Sequence, residues 1–311
     1  MSDDRFRLFR DKMFGLYGEG RYAEALAHVE QGAPEFPQQW TDLTYWKVCL
    51  ATRSGDVPLA LRILSEAAGH GWWWSEIGLR QDPDLQPLHG LPEFEHLVDL
   101  CRERHAAAQA LSRPELRIIQ PQTGTPPYPI LIALHGAAGS ADEFASHWQP
   151  AAAHGWLVGV PQSSQMSAPT RFDWRDLEVG TQEILGHYDT ILKRHPVDAH
   201  RTVLAGFSQG GRTAIWLTLS GILPARGFIG IACALSDPDE IRRLLRDREP
   251  KHRGYLMVGT KDYVYPQVLA MAELLRSYSI TLKVETIDGL AHEIPEDFAR
   301  RSARALDFLL S

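Results

Sequence analysis

Ser208, Asp262 and His292 are the residue types that together turn an unreactive hydroxyl into a nucleophile, and they occur in that order within "AGFSQGG", "GTKDYVYP" and "GLAHEIP". Near neutral pH a serine hydroxyl needs a base to take its proton, and the base needs an acceptor on its far nitrogen to hold its tautomer. The chemistry open to such a set is acyl transfer. The residues around Ser208 add to this expectation. Gly206 and Gly210 remove side chains where a strand and a helix would cross, and Gly211 permits close helix–sheet packing. A G-x-S-x-G string alone arises by chance in roughly one chain in ten of this length, so its context decides its weight. Apolar "TVLA" precedes it and the helix-compatible "GRTAIWLTL" follows, which is the strand–turn–helix setting of a nucleophile elbow.

Asp237 in "CALSDPDE" also follows an apolar run, and Asp288 lies near His292. "SDPDEI" reads as a helix N-cap, which puts Asp262 ahead as the orienting acid. His252 and His195 stand in charged segments and are weaker candidates for the base. The negative charge that develops on a tetrahedral intermediate calls for main-chain N–H donors. The amide of Gln209 opens the helix after the serine, and that of Ala137 lies in "ILIALHGAAGSADEF", just past His135–Gly136. His135 is read as supporting this loop rather than acting as the base. In "PQSSQMSAPTRFDWRDL", Met166, Phe172 and Trp174 are candidate substrate contacts, with Arg171 or Arg175 available to an anionic group. The alternative is an ordinary surface loop with buried anchors. Cys49, Cys101 and Cys233 are odd in number and lack metal-type spacing, so they read as small, reduced core residues.

These residues must be positioned by the elements between them. Beyond residue 113, short apolar runs fall at 116–121, 128–136, 156–162, 201–208, 227–233, 254–262 and 282–289. Helical patterns lie at about 140–154, 176–194, 209–220, 266–279 and 295–310. Continuous apolar strands alternating with helices predict a buried, mostly parallel sheet covered on both faces. Ligands bind such sheets at the carboxyl ends of the strands, where all the candidates above stand. Residues 1 to about 110 have helical spacing instead. Laying Gly20 on Gly55 matches Ala25 with Ala60, Leu26 with Leu61 and Val29 with Leu64, an offset of 35 close to the tetratricopeptide unit of about 34. A third, degenerate unit covers "DPDLQPLHGLPEFEHLVDL", punctuated by Asp82–Pro83 and Leu91–Pro92. Trp72, Trp73 and Trp74 read as packing residues, since consecutive positions on a helix cannot all face one cleft. The expected division is a small all-α helical-repeat domain at 1–112 and an α/β domain at 113–311.

A formal charge of −7 on 311 residues argues against nucleic acid as a partner, and 44% hydrophobic with 23% charged residues is a globular composition. The N-terminal "MSDDRFRLFRDKMF" has no apolar core of signal-peptide length, and no run approaches a membrane span. A cytoplasmic protein is the expectation.

"LHGAAG", "AGFSQGG", "GTKDYVYP" and "GLAHEIP" together resemble the α/β-hydrolase superfamily, and within it the phospholipase/carboxylesterase group that includes acyl-protein thioesterases. The resemblance covers roughly residues 115 to 311. It implies an α/β-hydrolase fold, with Ser208 as nucleophile, His292 as base and then acid, Asp262 as orienter, and Ala137 and Gln209 as oxyanion donors. It also implies a small-molecule ester or thioester substrate and no metal or organic cofactor. Ala137–Ala138 departs from the Leu-Gly that often follows His-Gly in the family. The helical repeats lie outside the family pattern and are available to a protein partner or to self-association. Two other readings stay open: an interaction protein whose hydrolase body is a scaffold, and a serine peptidase of the same fold.

Overall fold

The computed structural model describes residues 2–234, 237–246 and 252–311, which form two compact units. Met1–Leu111 with Met166–Thr170 make the first, and Ser112–Gln165 with Arg171–Ser311 make the second.

The first unit is built from α1 (Ser2–Gly18), α2 (Tyr22–Gly32), α3 (Trp40–Arg53), α4 (Val57–Gly69), α5 (Glu76–Gln81) and α6 (Pro92–Leu111). The 35-residue offset has a physical expression. Gly20 and Gly55 both take left-handed φ, +74° and +83°, ahead of α2 and α4, a conformation that costs glycine little. Ala25 and Ala60 are then buried at equivalent places, as are Leu26 with Leu61 and Val29 with Leu64. The degenerate third unit is organised differently, since Pro83–Leu88 is a 3-10 turn and α6 runs for 20 residues. The tryptophan triplet is not helical. α4 ends at Gly69 and Gly71 turns the chain at φ +85°, so Trp72–Trp74 form an extended link. Their rings point to separate neighbours, Trp72 against Trp40, Trp73 against His105 and Trp74 against Tyr45.

Met166–Thr170, expected in the α/β half, count with the helices, and β4 (Met166–Ala168) shows why. The Met166 amide donates to Gln109 Oε1 at 2.9 Å, and the Ser167 carbonyl accepts from the Ser75 amide at 2.7 Å. Ala168 is buried within the helical core. Elsewhere in this unit the side chains of Cys49, Asp82 and Asp84 converge within 4.8 Å. The two carboxylates already accept from phenols, Asp84 from Tyr17 at 2.8 Å and Asp82 from Tyr45 at 2.9 Å. Burial pushes the Asp84 carboxyl and the Cys49 thiol upward, which suits a self-satisfied polar cluster.

In the second unit, a seven-stranded sheet has the order β1-β3-β2-β6-β7-β8-β9. Its strands are β1 (Glu115–Ile119), β2 (Tyr128–Leu134), β3 (Leu157–Gln162), β6 (Val197–Phe207), β7 (Gly227–Ile231), β8 (Arg253–Gly259) and β9 (Thr281–Ile287), with β5 (Arg171–Phe172) outside the sheet. Only β1 runs antiparallel, on the β3 edge. Alternation of side chains across the sheet divides each apolar strand between two cores. Ile130, Ile132 and Leu134 meet Ile184, Tyr188 and Ile191 of α8 (Leu177–Arg194) on one face. Leu131 and Ala133 face the other way, toward Phe144 and Trp148 of α7 (Ala141–Ala153) and Leu306 of α12 (Phe298–Leu310). α9 (Ser208–Ser220) and α11 (Tyr265–Ser277) cover the first face with α8. α10 (Pro238–Leu245), short and highly charged, is an element that apolar periodicity does not reveal.

Register decides where the site lies. Leu134 pairs with Gly206, Phe207 with Ile231, Ile231 with Met257, and Gly259 with Ile287. The carboxyl ends of β2, β6, β7, β8 and β9 therefore finish along one edge, and the loops that leave them emerge together.

Candidate active site

Ser208 stands at the junction of β6 and α9 with φ +51°, the left-handed region that only glycine enters without strain. Three glycines make this turn sterically possible. A Cβ on Gly206 would lie 2.4 Å from the Gly210 carbonyl carbon and oxygen. One on Gly210 would lie 2.2 Å from the His135 carbonyl oxygen, and one on Gly211 2.6 Å from Cys233 Sγ. All three distances are far inside van der Waals contact. The backbone of α9 thus packs directly on the ends of β2 and β6, and the serine is held up at the sheet edge.

His292, five residues past β9, is half-buried, and its Nε2 lies 3.0 Å from Ser208 Oγ. Its Nδ1 lies 3.0 Å from both carboxylate oxygens of Asp262, three residues past β8. Since a carboxylate only accepts, the proton of the neutral ring sits on Nδ1, leaving the Nε2 lone pair to accept from the serine hydroxyl. The Asp262 side chain is fully buried and also accepts from the Val264 amide at 3.0 Å. Phe207 packs on the imidazole with ring centroids 5.1 Å apart. On the other side, Tyr263 lies at 4.6 Å with its hydroxyl 3.4 Å from Nε2, although the tyrosine is 71% exposed.

The rivals stand apart. Asp237 is an N-cap of α10, accepting from the Asp239 amide and paired with Arg243, while Ser236 lies outside the described residues. Asp288 accepts from Thr260. His195 caps the C-terminus of α8, and His252 lies just ahead of β8. His135 is buried, and burial pushes its pKa down to about 4, so it is a neutral ring. Its Nδ1 donates to the Gly136 carbonyl at 2.8 Å. Burial likewise raises the Cys101 thiol and pushes Cys233 up to about 12, which leaves neither as a thiolate.

The loop after β2 turns at Gly136–Gly139, closed by a 3.1 Å bond from the Gly139 amide to the Gly136 carbonyl. Ala138, its third residue, has φ +52° and donates its amide to Asp173 Oδ1 at 2.8 Å. Ala137 and Gln209 make no backbone donor bond to an acceptor among the described residues. The Gln209 amide lies in the first turn of α9, where the helix dipole favours negative charge. Of the expected substrate contacts, Phe172 is half-buried and donates its amide to the Gly139 carbonyl at 3.0 Å. Trp174 is only 1% exposed and lies beneath the site; its Nε1 donates to the His135 carbonyl at 3.1 Å. Met166 packs with the helical core. Arg171 pairs with Glu143 and Arg175 with Asp173, so each guanidinium already has a carboxylate. Asp173, between Phe172 and Trp174, is a residue of this loop that sequence reasoning does not nominate, and a lone acid in an aromatic run is its one local signal.

A mostly parallel sheet with helices on both faces, a strained serine at a strand–helix junction and a hydrogen-bonded acid and histidine at the same edge define an α/β-hydrolase. Residues 176–309 match the family model for Phospholipase/Carboxylesterase and residues 6–109 that for the A/B hydrolase-like, N-terminal domain. Over its α/β half the chain is thus similar to the phospholipase/carboxylesterase family, and over its helical half to a domain found ahead of such hydrolases. The tetratricopeptide likeness rests on the 35-residue offset alone. An uncharacterized protein from Bacillus cereus ATCC 10987 is similar over 98% of both chains, with 24% identity and a TM-score of 0.54. Esterase PE8 aligns with 63% of this chain and 99% of its own at 16% identity and a TM-score of 0.55. Acyl-protein thioesterase 2 of Zea mays aligns over the same two shares at 14% identity and a TM-score of 0.51. At these identities the likeness is one of fold. No curated protein sequence matches the chain. Among the described residues, no helix is long and apolar enough to cross a membrane.

Proposed function

We propose that this hydrolase is a serine esterase that cleaves carboxylic esters through an acyl-enzyme on Ser208. The observation that carries the proposal is the unbroken series Ser208 Oγ to His292 Nε2 and His292 Nδ1 to Asp262, at 3.0 Å in each step. His292 takes the hydroxyl proton as Ser208 attacks the ester carbonyl, and Asp262 stabilises the imidazolium that forms. The Ala137 and Gln209 amides receive the oxyanion, a contribution worth roughly 3–4 kcal/mol per donor in related chemistry. The tetrahedral intermediate collapses, the C–O bond to the alcohol breaks, and His292 delivers the proton to the leaving oxygen. Water, deprotonated by the same histidine, then hydrolyses the acyl-serine and restores the hydroxyl. The family match supports an ester substrate, and the three buried, free cysteines support a reducing compartment such as the cytoplasm.

Fluorophosphonate labelling and turnover of short-chain aryl esters test this reading in the full chain. Wild type is expected to label on Ser208 and turn over the ester, and Ser208→Ala to do neither. Equal turnover by the two proteins overturns it.

A further inference from the structure

Four hydrogen bonds join a single stretch, Phe172–Trp174, to the two loops that supply the oxyanion donors. The Phe172 amide reaches the Gly139 carbonyl at 3.0 Å, and Asp173 Oδ1 receives the Ala138 amide at 2.8 Å. Trp174 Nε1 reaches the His135 carbonyl at 3.1 Å, and the Trp174 amide reaches the Gln209 side-chain oxygen at 2.7 Å. The first three hold the turn after β2, and the fourth holds the residue after the serine.

The Asp173 contact differs from the rest in what it controls. Ala137 and Ala138 are exposed, so packing does not fix their peptide planes. The turn needs a left-handed third residue, a place that favours glycine and is here filled by Ala138 at φ +52°. Rotation of the Ala137–Ala138 peptide would relieve that conformation and loosen the turn that carries the adjoining Ala137 amide. An anionic acceptor on the Ala138 amide opposes the rotation, because charge-assisted bonds are the stronger kind. Asp173 is 3% exposed, and its own amide is tied to the Gln165 carbonyl at 2.8 Å. Arg175 Nε lies 2.6 Å from Asp173 Oδ2. That pairing neutralises a carboxylate which would otherwise repel a developing oxyanion nearby.

We infer that Asp173 is a positioning residue for the oxyanion hole: it locks the Gly136–Gly139 turn in the strained form that presents the Ala137 amide to the intermediate. The inference rests on the serine-esterase reading for its kinetic consequence, but its structural half does not.

The test compares full-length wild type, Asp173→Ala, Asp173→Asn and Ser208→Ala, with an aryl ester and a trifluoromethyl ketone that forms a tetrahedral adduct on serine. In Asp173→Ala, kcat is expected to fall roughly 30-fold, somewhat less than the 10²–10³ seen when a donor is removed outright, with KM within about threefold. Affinity for the ketone should fall in step with kcat. Asp173→Asn keeps an acceptor oxygen and should recover most of the rate. Amide hydrogen exchange reads the brace without activity, and the Ala138 amide should exchange at least tenfold faster in Asp173→Ala than in wild type. Wild-type turnover with unchanged kcat and unchanged Ala138 exchange in Asp173→Ala overturns the positioning role. A wild type no more active than Ser208→Ala, with Ala138 exchange still accelerated, overturns the esterase reading and leaves the brace standing.

Discussion

Ser208→Gly should be more stable than Ser208→Ala, although both are expected to be inactive. Serine at φ +51° sits where Cβ crowds the backbone, a cost of roughly 1–2 kcal/mol for an L-residue. Alanine keeps that Cβ and glycine loses it. Glycine also frees the unfolded chain, which returns about 0.4–1 kcal/mol of the gain. Both variants lack the hydroxyl and its 3.0 Å bond to His292, so that loss cancels in the comparison. The net difference is about 1 kcal/mol in favour of glycine, or roughly 2–4 °C in the melting of a domain of about 150–250 residues. Thermal melts followed by near-ultraviolet circular dichroism, backed by urea midpoints at one pH and salt, measure it. A glycine variant that melts with or below the alanine variant would refute the claim that the nucleophile's backbone stores strain.

Asp262→Asn offers a donor as well as an acceptor to His292 Nδ1, favouring the wrong tautomer, and kcat for an aryl ester should drop about 10³–10⁴-fold. A loss under tenfold would remove Asp262 from the relay. Gly206→Ala brings a Cβ to 2.4 Å from backbone atoms of Gly210, and a loss of at least about 2 kcal/mol is expected; a melting temperature unchanged within a degree argues against so close a crossing. His135 titrates in the folded protein near 4 rather than at its ordinary 6.5, so the unfolded chain binds its proton first. Its share of stability is intact above pH 6.5 and is lost as pH falls toward 4, by about 3 kcal/mol in all. Denaturation at stepped pH should show a shallower decline in His135→Gln, and parallel slopes would contradict the buried neutral ring.

The parts of the fold legible in the sequence are those written in local pattern. "ILIAL" and "VLA" are apolar at every position because both faces of a central parallel strand are covered, and polar chemistry begins one to five residues beyond the strands. That is why order along the chain nominated Ser208, Asp262 and His292, which the structure brings within hydrogen-bonding reach. What the pattern hides is partner choice over long range. Trp174 and Met166 looked alike as apolar members of one loop, yet the first lies under the turn after β2 and the second joins the helical core. α10 has no long apolar stripe to announce its length, although the N-cap reading of "SDPDEI" marks its start, and Gly71 turns the chain after α4 so that the tryptophan triplet lies outside any helix.

The partition of Met166–Thr170 has a consequence for the integrity of the chain. The backbone passes between the two units at Leu111–Ser112, at Gln165–Met166 and again at Thr170–Arg171. No single cut releases either unit whole. A fragment ending at Leu111 lacks the Ser167 carbonyl that caps Ser75 and the Ala168 methyl that fills the helical core. The remainder would carry that short insert with nothing to pack against. The helical unit is thus not a detachable prefix but a body whose last piece is encoded inside the other, so one recombination event could neither add nor delete it intact.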